Sequence, residues 1–204
     1  MDAVSLPQLW LFVTVLALAI LSPGPAIIAA SQSAVSRGRQ ASLPYAIGLA
    51  FGASLWGLAA LFGLSILFKA VPQLYVGFKV AGGAYLLWVA WKMWHHAADP
   101  LPQAAATGCG PGFWAGVMLN LSNPKPALFY AAVILSVFPA LHGVAGPALV
   151  YATALAVELT FYLLVTSLMA TGPIRRRYFA AKTLIDRTAA GLIGLLGLSL
   201  ILRH

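Results

Sequence analysis

Apolar residues run through this chain in long blocks separated by short polar clusters. Six blocks have the length of a membrane-crossing helix: residues 6–35, 43–68, 74–94, 113–138, 147–170 and 184–202. At 1.5 Å of rise per residue, about 20 apolar residues cross the ~30 Å hydrocarbon core of a bilayer. The first block is long for one crossing and carries Pro23 and Pro25. Proline lacks a backbone N–H and clashes with the preceding turn, so the helix is expected to break or tilt strongly there. The fourth block repeats the pattern: Pro23-Gly24-Pro25-Ala26 has its counterpart in Pro124-Lys125-Pro126-Ala127, about half the 204-residue chain further on. Paired breaks at corresponding positions of two halves mark transporters built from internal repeats. An odd number of helices per half makes the halves antiparallel. The expected fold is therefore an all-α membrane protein, with six transmembrane helices as two inverted three-helix repeats and proline-broken helices one and four. It forms a single domain, with repeat one at about 1–96, a linker rich in Ala, Gly and Pro at about 97–112, and repeat two at about 113–204.

Composition agrees with a chain made for lipid. It is 61% hydrophobic and 8% charged, with mean hydropathy +0.91, values outside the range of soluble domains. The net charge of +8 would suggest nucleic acid in a soluble protein. Here the basic residues sit in short loops, where they orient the helices instead. Arg37 and Arg39, then Lys92, then Arg175, Arg176, Arg177, Lys182 and Arg187 fall on one side if the helices alternate. Lys69 and Arg203 fall on the other, with Lys79 able to snorkel outward. The positive-inside rule then makes the first side cytoplasmic and leaves both termini outside. The opening segment has Asp2 and no Lys or Arg, and its apolar run is too long for a cleavable signal, so it is expected to stay in the protein. A single cysteine, Cys109, excludes an internal disulfide or a paired-thiol redox centre. ATP-driven transport lacks its Gly-x-x-x-x-Gly-Lys-Ser/Thr loop.

Two ionisable residues interrupt the apolar blocks, Lys125 and Glu158. A charge at the bilayer centre costs at least ~2.5–3.5 kcal/mol, so its presence needs a reason. Counted from opposite faces both lie roughly 16–18 Å deep, which brings them to similar depth. One reading is a static ion pair pinning spans four and five. The other is a wet cavity where they handle substrate or protons. Polar neighbours favour the second: Asn120, Ser122 and Asn123 near Lys125, and Tyr162 one turn from Glu158 on the same face. A half-helix starting after Pro25 or Pro126 offers unpaired N–H groups suited to a carboxylate. Carbonyls freed by the prolines suit an ammonium, and an amino-acid zwitterion presents both. The candidate substrate- or proton-binding set is thus Pro23, Gly24, Pro25, Asn120, Asn123, Pro124, Lys125, Glu158 and Tyr162. No cofactor or metal is implied. His95 and His96 follow Trp91, Lys92 and Trp94 and read as interfacial anchors without a third ligand. A membrane enzyme would need a clustered constellation, and His95, His96, His142 and His204 are scattered. A non-transporting scaffold is the other rival. The pairs Gly48/Gly52 and Gly112/Gly116, and the series Gly191, Gly194 and Gly197, suit close helix contact inside the bundle, with a homodimer face as the alternative use.

These residues carry a resemblance. Leu21-Ser22-Pro23-Gly24-Pro25 with the basic turn Arg37-Gly38-Arg39, then Gly48, Gly52 and Gly63-Leu64, then Lys79-Val80-Ala81-Gly82-Gly83-Ala84-Tyr85-Leu86, then Asn123-Pro124-Lys125 with Ala127-Leu128-Phe129, and Glu158 before Phe161-Tyr162, span nearly the whole chain. Together they resemble the lysine exporter / homoserine–threonine efflux (LysE/RhtB) family of bacterial amino-acid exporters. The resemblance implies a bacterial inner-membrane protein that exports small amino acids or related metabolites, by proton antiport with alternating access. Many members carry Asp after the second glycine of span two, where this chain has Ala53. The acidic function is then expected to fall to Glu158.

Overall fold

The structure, a computed structural model, describes residues 4–70, 74–99, 112–138, 141 and 143–202. Cys109, His142, Arg203 and His204 lie outside the described residues, as do most of the linker and the side chain of Lys69. The described residues are helical throughout: α1 (Leu6–Leu21), α2 (Pro25–Arg37), α3 (Arg39–Ala70), α4 (Leu74–His95), α5 (Phe113–Leu121), α6 (Pro124–Val137), α7 (Ala145–Met169), α8 (Gly172–Ala180) and α9 (Lys182–Leu202). Arg39–Gly63, Ala145–Met169 and Lys182–Leu202 are long and apolar enough to cross a membrane. The pair α1 and α2 passes the same test as a single span bent by 61°. The expected break in span one therefore exists, and span four is likewise divided, into α5 and α6. Short α8 was expected as loop; Pro173 at its first turn and the Arg175–Arg177 run fold as one exposed helical segment.

Hydrogen bonds tie the ends of the elements together. Gln8 Nε2 donates to Val137 O (3.0 Å), joining the start of α1 to the end of α6. At the opposite end Arg39 Nε donates to Ser167 Oγ (3.1 Å), and Lys182 Nζ donates to the carbonyls of His96 (3.0 Å) and Ala97 (2.9 Å). The starts of α3 and α9 thus share one end with the finishes of α4 and α7. That end carries the basic residues Arg39, Lys92, Arg175, Lys182 and Arg187. Tryptophans accompany them: Lys92 Nζ stands 4.8 Å from the Trp88 ring and the Arg187 guanidinium 5.6 Å from Trp94. His95 and His96 bond through Nδ1 to the carbonyls four residues earlier, at 2.9 and 2.8 Å, as anchoring residues of a helix end do.

Small residues bring helices close within the interior. Ala30, Ala46, Ala50, Ala154 and Ala189 are buried, while Trp10, Trp114, Leu195 and Leu202 are among the large side chains left exposed. This is the arrangement lipid demands. Apolar side chains gain nothing by leaving hydrocarbon, so close backbone packing holds the helices. A Cβ on Gly48 would run into the backbone of Phe113, and one on Gly116 into that of Tyr45, so α3 and α5 touch backbone to backbone. Gly83 and Gly197 bring α4 and α9 together in the same way: a Cβ added to either would stand 2.8 Å from the other's carbonyl oxygen. Two glycines depart from the expected pattern. Gly112 is the N-cap of α5 at φ +128° and Gly191 faces open space, so neither packs a helix within this chain.

Candidate functional site

Both breaks come together at one point. The N–H of Ser22, at the end of α1, donates to Leu18 O (3.2 Å), and α2 restarts at Pro25 after Gly24. In the second half α5 ends at Leu121, and Asn123 caps α6: its side-chain oxygen accepts the N–H of Lys125 at 3.1 Å. Pro124 and Pro25 each occupy the first helical position, where a missing N–H costs nothing. The Lys125 side chain leaves the second break and reaches the first. Its Nζ donates to Ala19 O at a long 3.4 Å and lies beside Gly24, where a Cβ would sit 3.7 Å from it.

Glu158 enters from α7 and is 2% exposed. Its Oε1 accepts from Tyr130 Oη at 2.9 Å, and its Oε2 has no hydrogen-bond partner among the described residues. Asn120, fully buried at the end of α5, donates through Nδ2 to Leu49 O (2.7 Å) and to Tyr162 Oη (3.1 Å). Its Oδ1 is also without a partner among the described residues. Leaving a buried acceptor unpaired costs about 1–3 kcal/mol, so two in one place point to a donor that arrives from elsewhere. Lys125, Asn120, Glu158, Tyr130 and Tyr162 all line one cavity of about 50 Å³, with Gly24 and Pro25 from the first break and Ala53 from α3. That is the room of a few waters at ~10–15 Å³ each.

Lys125 and Glu158 share the cavity, and among the described residues they form no ion pair. The carboxylate is held by a tyrosine, and the ammonium by a carbonyl. Asn123 lines the cavity but spends its side chain on the helix cap. Pro23 faces a second, larger cavity, and the side chain of Pro124 lies outside the described ones. Three residues were not singled out from the sequence. Tyr130 had no signal beyond being a tyrosine in an apolar run. Asp186 accepts from Ser22 Oγ at 2.7 Å and pairs with Lys182 at 2.9 Å, and thereby ties α9 to the first break. An acid four residues after a lysine on one helix was the available clue for Asp186. Tyr178 of α8 donates to Leu21 O (2.6 Å), so the loose carbonyl of the broken helix is satisfied from below. Burial, and then Asp186, push the Tyr178 phenol above its ordinary value, which keeps it a donor.

The chemistry on offer is that of a zwitterion: one ammonium facing the cavity for an anion, and two orphaned acceptors for a cation. The chain is 30% identical over 204 residues to the threonine efflux protein of Escherichia coli (strain K12), covering 96% of this chain and 99% of that one. It is 31% identical over 190 residues to the threonine efflux protein of Salmonella typhi, covering 90% and 92%. To the leucine efflux protein of Enterobacter sp. (strain 638) it is 27% identical over 191 residues, covering 92% and 90%. No solved structure matches it. Residues 17–204 match the family described as LysE type translocator, and with nearly the whole chain inside that match, this protein is a member of the LysE translocator family, a transporter and not an enzyme.

Proposed function

We propose that this protein is a secondary exporter of small amino acids or related metabolites across the bacterial inner membrane, working by alternating access coupled to protons. One observation carries the reading: Lys125, Glu158 and Asn120 line one cavity where two helix breaks meet, and Glu158 Oε2 and Asn120 Oδ1 have no partner among the described residues. The substrate carboxylate goes to Lys125 and the ammonium to the two free acceptors. Glu158 also carries the proton: neutralised, it has no hold on an ammonium, so proton entry favours substrate release. Relatives named for threonine and leucine efflux align over nearly the full length and support the export direction.

In this reading the chain crosses six times. Helices α1 with α2, α4 and α7 run toward the basic end, and α3, α5 with α6, and α9 run away from it. The halves are inverted repeats, with the break after Leu21 matching the break after Leu121. The basic end is cytoplasmic and both termini are outside. The test is a comparison of internal and external amino-acid pools in cells with and without expression. Expression should raise the external level of at least one small amino acid and lower its internal pool. Pools that do not change for any amino acid would remove the export reading.

A further inference from the structure

Beside the inner cavity lies one of about 500 Å³, lined by Tyr85, Trp88 and Lys92 of α4, Leu128 of α6, and Lys182 and Asp186 of α9, among others. It reaches the basic end of the bundle, and it shares one charged residue with the inner cavity: Lys125 lines both.

We propose that this larger cavity is a loading site, where an amino acid is first held by its carboxylate on Lys125 before its headgroup passes to Glu158. The inference rests on the export reading above and adds a second site to it. Size comes first. A volume near 50 Å³ admits the ammonium, α-carbon and carboxylate of an amino acid and little more, so a side chain such as that of leucine has no room there. The larger cavity takes a whole amino acid with water to spare.

The other charges on its wall are already engaged. Lys182 spends its ammonium on two carbonyls and on Asp186. Asp186 holds Lys182 on one oxygen and Ser22 on the other. Lys92 lies over Trp88, and His96 bonds the carbonyl of Lys92. Asp99 lies at the exposed mouth. Lys125, with one long bond to a carbonyl, is the cation on this wall with most to gain from an anion. The rings of Tyr85 and Trp88 and the aliphatic Leu128 leave an apolar surface for the rest of the molecule. A free amino acid and an anionic lipid headgroup both present an anion that Lys125 could take. The test separates them.

The experiment is equilibrium binding of labelled L-threonine, and in parallel L-leucine, to purified protein in phosphatidylcholine nanodiscs. Glu158→Gln should lose export yet keep binding within about threefold, because the loading site does not use Glu158. Lys125→Met should weaken binding by about tenfold or more, as loss of a charged contact does. Leu128→Trp should weaken it similarly by filling the larger cavity, as should Val89→Trp on the same wall if the first variant does not stay monodisperse. Binding lost as completely in Glu158→Gln as in Lys125→Met, while the wild type exports, overturns the loading site and leaves the export reading standing. A wild type that exports no amino acid overturns the export reading, and this site with it. Displacement of the probe by about tenfold on adding phosphatidylglycerol would assign the cavity to a lipid headgroup and overturn the proposal.

Discussion

Lys125 stands at the meeting of two broken helices, and its surroundings define what its replacement should do. Its Nζ has one long hydrogen bond, to Ala19 O, and Glu158 does not pair with it. Lys125→Met removes the cost of placing a charge in an apolar setting, so the variant should fold at least as well as wild type and yet not export. Glu158→Gln keeps an acceptor for Tyr130 and should also fold, with export lost. Because the two residues share a cavity but do not pair, a double-mutant cycle on thermal stability should give a coupling of no more than about 3 kcal/mol. A coupling of several kcal/mol would restore the static pair. The sequence made these residues legible for a simple reason: a charge in an apolar block has to be there for something. Asn120 and Tyr162 were legible through their spacing from them. Tyr130 and Asp186 were not. A tyrosine among apolar residues is ordinary in a membrane helix, and Asp186 offers only its lysine four residues earlier, whereas its other partner, Ser22 at the end of α1, is brought to it by the fold.

At the scale of elements, the breaks at Pro23–Pro25 and Pro124–Pro126 could be read from the chain because proline acts locally on its own helix. The small α8 could not, since its sequence carries the Gly-Pro and arginine run of a loop. Its exposed helix is held by Tyr178 reaching the carbonyl of Leu21. Pro23→Ala with Pro25→Ala should let α1 run on into α2 and pull the backbone of Gly24 away from Lys125. Membrane insertion should persist and export should fall to background. Unchanged efflux would reduce the prolines to packing features. The glycine contacts give a stability prediction of the opposite kind. Gly48→Leu forces a side chain into the backbone of Phe113 and should cost upward of about 1–3 kcal/mol, read as a lower unfolding temperature. Gly191→Leu, facing open space, should change it little unless that face meets a second copy.

For the whole molecule, the expectation of an all-helical membrane protein rested on the long apolar blocks of a chain 61% hydrophobic. The direction of each crossing rested on loop charges, and the structure gathers Arg39, Lys92, Arg175, Lys182 and Arg187 at one end. Reporter fusions after residue 204 and near Gly143 should read as outside, and a fusion after Arg177 as cytoplasmic. A cytoplasmic C-terminus would dissolve the antiparallel halves.

The central claim is that one cavity binds an amino-acid zwitterion through Lys125 and Glu158 and moves it against protons. Its most direct test is uptake of labelled L-threonine, and of L-leucine, into proteoliposomes holding the purified protein, with and without an imposed pH gradient. Wild type should accumulate at least one of them only when the gradient is present, and Lys125→Met with Glu158→Leu should accumulate neither while remaining folded. A folded double variant that transports as wild type does, with the same dependence on the gradient, would contradict the account.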